Sequence, residues 1–187
     1  MEENKKVIVF LADGFEECEG LLVVDLLRRA GLDVITASIM GRKEIHSSHG
    51  ITLFADALAE EVDYHDAQMI VLPGGRIGTE NLGKSDIVKE QCRRFVLDEN
   101  KFAAAVCAAP SVLAGCGLLE GKRATVHPDF ESHMAGAVIT KESVSVDGHI
   151  ITGQGLGATI PFALELVKTL VNKETTDQIK NAICYKG

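Results

Sequence analysis

At 187 residues, with 46% hydrophobic side chains and a formal net charge of −8, the chain suits one α/β domain spanning 1–187 with a core large enough to fold without staples. The acidic balance, the lack of any basic run and an aromatic content of 5% argue against nucleic acid or an anionic membrane surface as a partner. Five cysteines, at 18, 92, 107, 116 and 184, form no C-x-x-C pair, which argues against a disulfide framework or a zinc site and for reduced thiols in the cytoplasm.

Residues 1–6 lead directly into an apolar run rather than a signal peptide, and no apolar segment reaches the ~18 residues a membrane span needs. The run itself, 6–12 (Lys-Val-Ile-Val-Phe-Leu-Ala), has the length and continuity of a strand covered on both faces. After the turn Asp13-Gly14-Phe15, residues 16–30 place Leu22, Leu26 and Ala30 on one helical stripe, and Gly31 supplies a stop. A β-rich stretch at 32–39 completes a β-α-β unit, whose crossover is expected to be right-handed. Residues 44–54 read as two short strands around Ser47-Ser-His-Gly50, an insertion expected at an edge of the fold.

Residues 67–72 form a further buried strand ended by Pro73-Gly74-Gly75, and Ser85 is placed to cap a helix running to about Asn100. Then comes the stretch Phe102-Ala-Ala-Ala-Val-Cys-Ala-Ala-Pro110, in which a strand stops at Cys107 and a helix begins. Residues 124–127 read as a short strand and 129–135 as a short helix. Asp147-Gly148 turns a hairpin between 143–146 and 149–152, and 160–171 returns to the helical period after the glycine-rich turn 153–157. Strands alternating with helices indicate an open, mostly parallel sheet with helices on both faces, whose ligands bind beyond the carboxyl ends of the strands. Three segments share that edge: 13–19, 73–78 and 107–110.

Cys107 stands at a strand-to-helix turn beside small residues, the cysteine counterpart of a nucleophile elbow, where the helix N-terminus is expected to favour thiolate. The alternative is a small buried hydrophobe at a strand end. Glu16 and Glu17 read as solvated first-turn carboxylates. Glu19, one turn further in beside apolar residues, is placed to have a raised pKa and to carry protons. Pro73-Gly74-Gly75 is either a plain turn or a source of N–H donors for an oxyanion, and His127 is either an acid/base or a structural histidine. Gly153-Gln-Gly-Leu-Gly-Ala158 matches G-x-G-x-x-A, but no full dinucleotide-binding unit follows and no phosphate loop is present, so no cofactor is expected.

Taken together, Leu11-Ala-Asp-Gly-Phe-Glu-Glu-Cys-Glu19, Asp25-Leu-Leu-Arg-Arg-Ala-Gly31, Val71-Leu-Pro-Gly-Gly75, Ala105-Val-Cys-Ala-Ala-Pro110, His127-Pro128 and Gly153-Gln-Gly-Leu-Gly-Ala-Thr159 resemble the ThiJ/PfpI superfamily, in its parkinsonism-associated deglycase branch. The resemblance runs in order over nearly the whole chain. It implies a flavodoxin-like fold, a homodimer and an easily oxidised nucleophile at Cys107. It further implies a protonated Glu19 bonded to that sulfur, His127 as partner, and backbone donors from Gly75 and Ala108. Ala108 stands where the protease-like branch has histidine, which argues against peptidase activity. His49 stands where a basic residue often follows the position of Ser48. Likeness to class I glutamine amidotransferases stops at the elbow. The activity expected is conversion of a small reactive carbonyl, a 2-oxoaldehyde such as methylglyoxal or its early adducts, to a 2-hydroxy acid without metal or organic cofactor. The competing expectation is a non-enzymatic stress protein working through oxidation of Cys107.

Overall fold

A computed structural model describes residues 5–187; the first four residues, part of the N-terminal stretch read as lacking a signal peptide, lie outside the described residues. The elements run β1 (Lys6–Leu11), α1 (Glu17–Arg29), β2 (Asp33–Ser38), β3 (Glu44–His46), β4 (Thr52–Phe54), β5 (Ala57–Leu58), β6 (Ala67–Leu72), α2 (Arg76–Lys84), α3 (Asp86–Leu97), β7 (Phe102–Val106), α4 (Pro110–Gly115), β8 (Arg123–Ala124), β9 (Val138–Ile139), β10 (Val144–Asp147), β11 (Ile150–Gly153), α5 (Thr159–Leu170) and α6 (Lys173–Ala182). Short 3-10 turns cover Pro128–His133 and Leu156–Ala158.

Seven strands form one sheet in the order β10-β11-β7-β6-β1-β2-β5, every neighbouring pair parallel except β10 with β11. The continuous apolar runs follow from burial on both faces. In β1, Val7, Val9 and Leu11 enter one core with Val23, Leu27, Phe162 and Leu166, while Ile8 and Phe10 enter the other with Val88, Phe95 and Leu113. Helices α1 and α5 therefore cover one face, and α3 and α4 the other. This is the mostly parallel sheet with helices on both faces that the alternation predicts, and the flavodoxin-like arrangement that the family resemblance implies. Among the described residues no helix is long and apolar enough to cross a membrane.

The differences fall where elements are short. Helix α2 begins at Arg76, directly after Gly75, where the sequence suggests a loop; its residues have a weak apolar pattern, but Gly78, Thr79 and Leu82 are buried. Helix α6 and the two-residue β5 lie outside the expected elements. The strand expected over 124–127 shrinks to β8, which pairs with β9. The β3–β4 ribbon is its own two-stranded sheet, but it is more than an edge insertion: Ile45 is fully buried in the core, and the ribbon is tied to the turn after β1 by Gly14 N–H to His46 O (2.7 Å) and Ser48 N–H to Phe15 O (2.8 Å).

Phe162 of α5 is fully buried, and its ring fills the space beside Gly153 and Val106, at the strand ends that carry the site described below. Phe162→Ala is expected to cost about 3–5 kcal/mol, the loss of transfer energy plus a residual cavity, measured as a lowered denaturant midpoint at unchanged slope.

Candidate active site

Strand β7 ends because Cys107 adopts φ 62°, the left-handed region that residues with a Cβ seldom occupy. Backbone bonds on both sides hold it there: Cys107 N–H donates to Gly153 O (2.9 Å), Ala109 N–H to Val106 O (3.0 Å), and His127 N–H to Cys107 O (2.9 Å). The turn projects the sulfur out of the chain, where the N–H groups of Gly75 and Ala108 donate to it.

Glu19 reaches the same point from α1. Glu16 caps that helix, its carboxylate accepting from Glu19 N–H at 2.7 Å, and Glu16 N–H donates to Gly74 O at 2.9 Å. The helix start is thereby fastened to the loop after β6. Glu19 is 1% exposed, its carboxyl hydrogen-bonded to the Cys107 sulfur and accepting from Gly74 N–H at 3.1 Å. A Cβ on Gly74 would lie 2.5 Å from Cys107 Cβ and would also strike Glu19 Oε2, so only glycine admits this approach.

Burial pushes the Glu19 carboxyl up to about 7, the charge of Glu16 adding to the rise against the hydrogen bonds from Gly74 and Cys107. Burial also pushes the Cys107 thiol up to about 12, helped by the charge and hydrogen bond of Glu19 and opposed by the N–H groups of Gly75 and Ala108. This corrects the expectation that a helix N-terminus makes Cys107 a ready thiolate. Helix α4 has only six residues, and two backbone donors do not offset the loss of water around the sulfur.

His127 lines the same cavity of about 530 Å³, together with Glu16, Glu19, Cys107, Gln154 and Leu156. Its Nδ1 accepts from Asp129 N–H at 3.3 Å, which places the ring proton on Nε2 in the neutral form. The structure thus brings Cys107, Glu19, His127, Gly75 and Ala108 to one place. Glu16 and Glu17 are not the solvated carboxylates expected, being 9% and 7% exposed. Glu17 accepts from Ser48 Oγ (3.1 Å) and pairs with His49 Nδ1 at 2.9 Å. Their burial comes from the β3–β4 ribbon lying over the helix start, a tertiary contact that helix-start preference does not encode.

Sequence reasoning passed over Gln154 and Leu156, which form the opposite wall. The available signal was position: they follow β11, the parallel neighbour of β7, at the same sheet edge. A cavity of about 510 Å³ at the other edge is lined by Lys6, His65 and Lys101. There Lys101 Nζ already donates to the carbonyls of Tyr64, His65 and Ala67, and no cysteine, serine or threonine lines the cavity.

The Glu19 shift has a consequence for stability. With a folded pKa of about 7 against roughly 4.3 in an unfolded chain, the folded state holds this proton more tightly. Stability therefore falls as pH rises from the unfolded value to about 7 and is level above it. Glu19→Gln is expected to remove up to roughly 4 kcal/mol of that decline, read by denaturant titrations of parent and variant across the range; parallel curves would show that Glu19 titrates normally.

The DJ-1/PfpI family model matches residues 5–169. Protein DJ-1 homolog B of Arabidopsis thaliana is 35% identical over 185 residues, covering 98% of this chain but 42% of its own length, so the chain spans less than half of that relative. The Parkinson disease protein 7 homolog of Danio rerio is 33% identical, with 98% of both chains covered, and a protein named a deglycase from Pyrococcus abyssi is 31% identical over 88% of this chain and 99% of its own. Among solved structures, Drosophila melanogaster DJ-1beta aligns with a TM-score of 0.94 at 31% identity, covering 98% of this chain and 100% of that one. The chain accordingly belongs to the DJ-1/PfpI family.

Proposed function

We propose that the protein is a cofactor-free cysteine enzyme that converts 2-oxoaldehydes such as methylglyoxal, or their early adducts with amines and thiols, to 2-hydroxy acids. The observation that carries this reading is the joint placement of a nucleophilic sulfur, two backbone donors and a carboxyl of pKa about 7 at one cavity. The relative named a deglycase supports it.

In this mechanism the Cys107 sulfur adds to the aldehyde carbon. A carbon–sulfur bond forms and the carbonyl oxygen takes up the thiol proton, its developing charge met by the N–H groups of Gly75 and Ala108. The Glu19 carboxylate then removes the hydrogen of that carbon while Nε2–H of His127 polarises the neighbouring carbonyl. Glu19 returns the proton to the second carbon, and as the second oxygen takes a proton from His127 Nε2 the hydroxyl of the first carbon gives its own proton back to that ring, leaving a thioester of the 2-hydroxy acid. Water cleaves the thioester, releasing the acid and restoring the thiol. A carboxyl titrating near neutrality suits both halves of the proton transfer.

The reading extends to a cytoplasmic homodimer. Leu21 on α1 and Ile51 and Phe54 on the β3–β4 ribbon are exposed at 38%, 48% and 71%, apolar surface that a second copy would cover. Phe54→Glu is expected to shift light-scattering mass to the monomer. The alternative reading, a redox-responsive protein, draws on the same donors, since Gly75, Ala108 and a protonated Glu19 could each bond an oxygen added to the sulfur.

Lactate formed from methylglyoxal in amine-free buffer separates these readings. Cys107→Ser is expected to abolish it, and equal lactate from both proteins would end the enzyme proposal. Glu19→Gln is expected to lower turnover by about 10²-fold or more and to flatten a rate that otherwise rises with pH through about 7. His127→Ala should slow turnover while leaving alkylation of Cys107 nearly unchanged, because its ring serves the substrate; an equal loss of both rates would reassign it to the thiol.

A further inference from the structure

The catalytic cavity carries charge of one sign. Its carboxyls are Glu16 and Glu19, no lysine or arginine stands among its wall residues, and its remaining ionisable groups, Cys107 and His127, are those of the chemistry. Burial keeps the Glu19 proton on up to about 7, so the lasting charge of the wall is that of Glu16. That side chain is buried. Its Oε2 accepts from Glu19 N–H at 2.7 Å and so caps α1, while its Oε1 lies 3.9 Å from His49 Nδ1, beyond hydrogen-bond reach. His49 sits nearer to Glu17, at 2.9 Å, and is largely exposed, so water screens what it offers Glu16. Capping the helix takes one oxygen and no charge. The charge is left to act on the cavity.

A carboxylate in a water-poor wall is screened less than one on an open surface, so it acts over several ångströms on whatever enters. Its reach is visible at Glu19, whose proton it helps to hold and whose carboxyl bonds the Cys107 sulfur. The field therefore extends to the place where a substrate carbonyl must sit. Gln154 and Leu156 across the cavity bring no charge to offset it. The N–H groups of Gly75 and Ala108 donate to the sulfur, where they serve an oxyanion formed on the attacked carbon and not a second anionic group further out.

We infer that Glu16 is a specificity-determining residue, which admits neutral carbonyl compounds, favours those with a positive group near the carbonyl and turns away those with a carboxylate. The inference rests on the proposed conversion of 2-oxoaldehydes and their adducts, and it names which of them the cavity takes. Adducts of an amine or thiol that also bears an ammonium or guanidinium group are preferred over adducts of a carboxylated thiol. The same charge acts on the product. The aldehyde enters neutral and the 2-hydroxy acid leaves as an anion, so the wall that tolerates the first repels the second.

Three methanethiosulfonates of similar size read the field at the sulfur itself: trimethylammonioethyl (cationic), ethyl (neutral) and sulfonatoethyl (anionic). Each rate at Cys107 is followed by peptide mass and divided by that reagent's rate with 2-mercaptoethanol. The cationic reagent is expected to exceed the anionic one at least about tenfold. Because the reagents are compared on one thiol, any change in the ionisation of the sulfur cancels. Glu16→Gln, which keeps an oxygen for the cap, should bring the ratio close to unity, and Glu16→Asp, which keeps both cap and charge, should retain the order. Glu99→Gln removes the same unit of charge from the turn before β7, at the far end of that strand from Cys107, and should leave the ratio unchanged. A ratio near unity in the parent, or one that falls equally in both glutamine variants, would overturn the inference. In turnover, the methylglyoxal hemithioacetal of cysteamine is expected to surpass that of mercaptoacetate in kcat/KM, a preference lost in Glu16→Gln; equal use of the two by the parent would count against Glu16 in the same way. A parent that keeps the labelling order but forms no lactate from methylglyoxal would sink the enzyme reading and leave charge selection at Cys107 standing.

Discussion

Two missing side chains hold the site together. Gly75 has φ 89°, and a Cβ there would sit 2.6 Å from Glu16 N and strike Gly14 O as well; Gly74 faces Glu19 and Cys107 just as tightly. With no Cβ in the way, the loop after β6 lies flush against the turn after β1. The two exchange backbone hydrogen bonds, Glu16 N–H to Gly74 O and Gly78 N–H to Gly14 O (3.0 Å). This contact fixes the start of α1 against β6 and β7 and delivers Glu19 to the sulfur. Without it, an acidic helix start would turn its carboxylates to water, as sequence preferences alone suggest.

The same helix start divides its carboxylates electrically. Burial works to raise Glu17, but its own backbone N–H, the hydroxyls of Ser47 and Ser48 and the nearby His49 outweigh it and hold Glu17 below the usual range. Glu19, two residues on, is buried more deeply and has only Gly74 N–H and the Cys107 sulfur to bond, so desolvation prevails and the proton stays to about 7. Two acids on one turn of helix thus take opposite states through their partners, not their spacing.

The sheet was legible because its strands are continuous apolar runs, and burial on both faces of a parallel sheet leaves few other patterns. The meeting of Cys107, Glu19 and the Gly74-Gly75 loop was legible for a related reason: segments following parallel strands must share one edge. What could not be read were contacts made across long separations by short pieces. The β3–β4 ribbon buries Glu16 and Glu17, α2 carries too weak an apolar stripe to announce itself, and the 154–158 wall was read for its glycines and not for its place beside β7. The state of Cys107 was misjudged for a further reason. A helix terminus is visible in sequence, whereas the depth of burial that outweighs it is a sum over residues from the whole chain.

That depth gives the fold a protective effect on its own sulfur. A thiol held at about 12 is far less ionised at neutral pH than one free in solution, near ~8.5, so the intact pocket keeps Cys107 quieter than the unfolded chain would. The pocket wall is assembled from residues as far apart as Glu16 and Ala158, and loosening any one segment readmits water to the sulfur. Local opening, not only complete unfolding, would therefore make Cys107 more thiolate-rich and more easily oxidised.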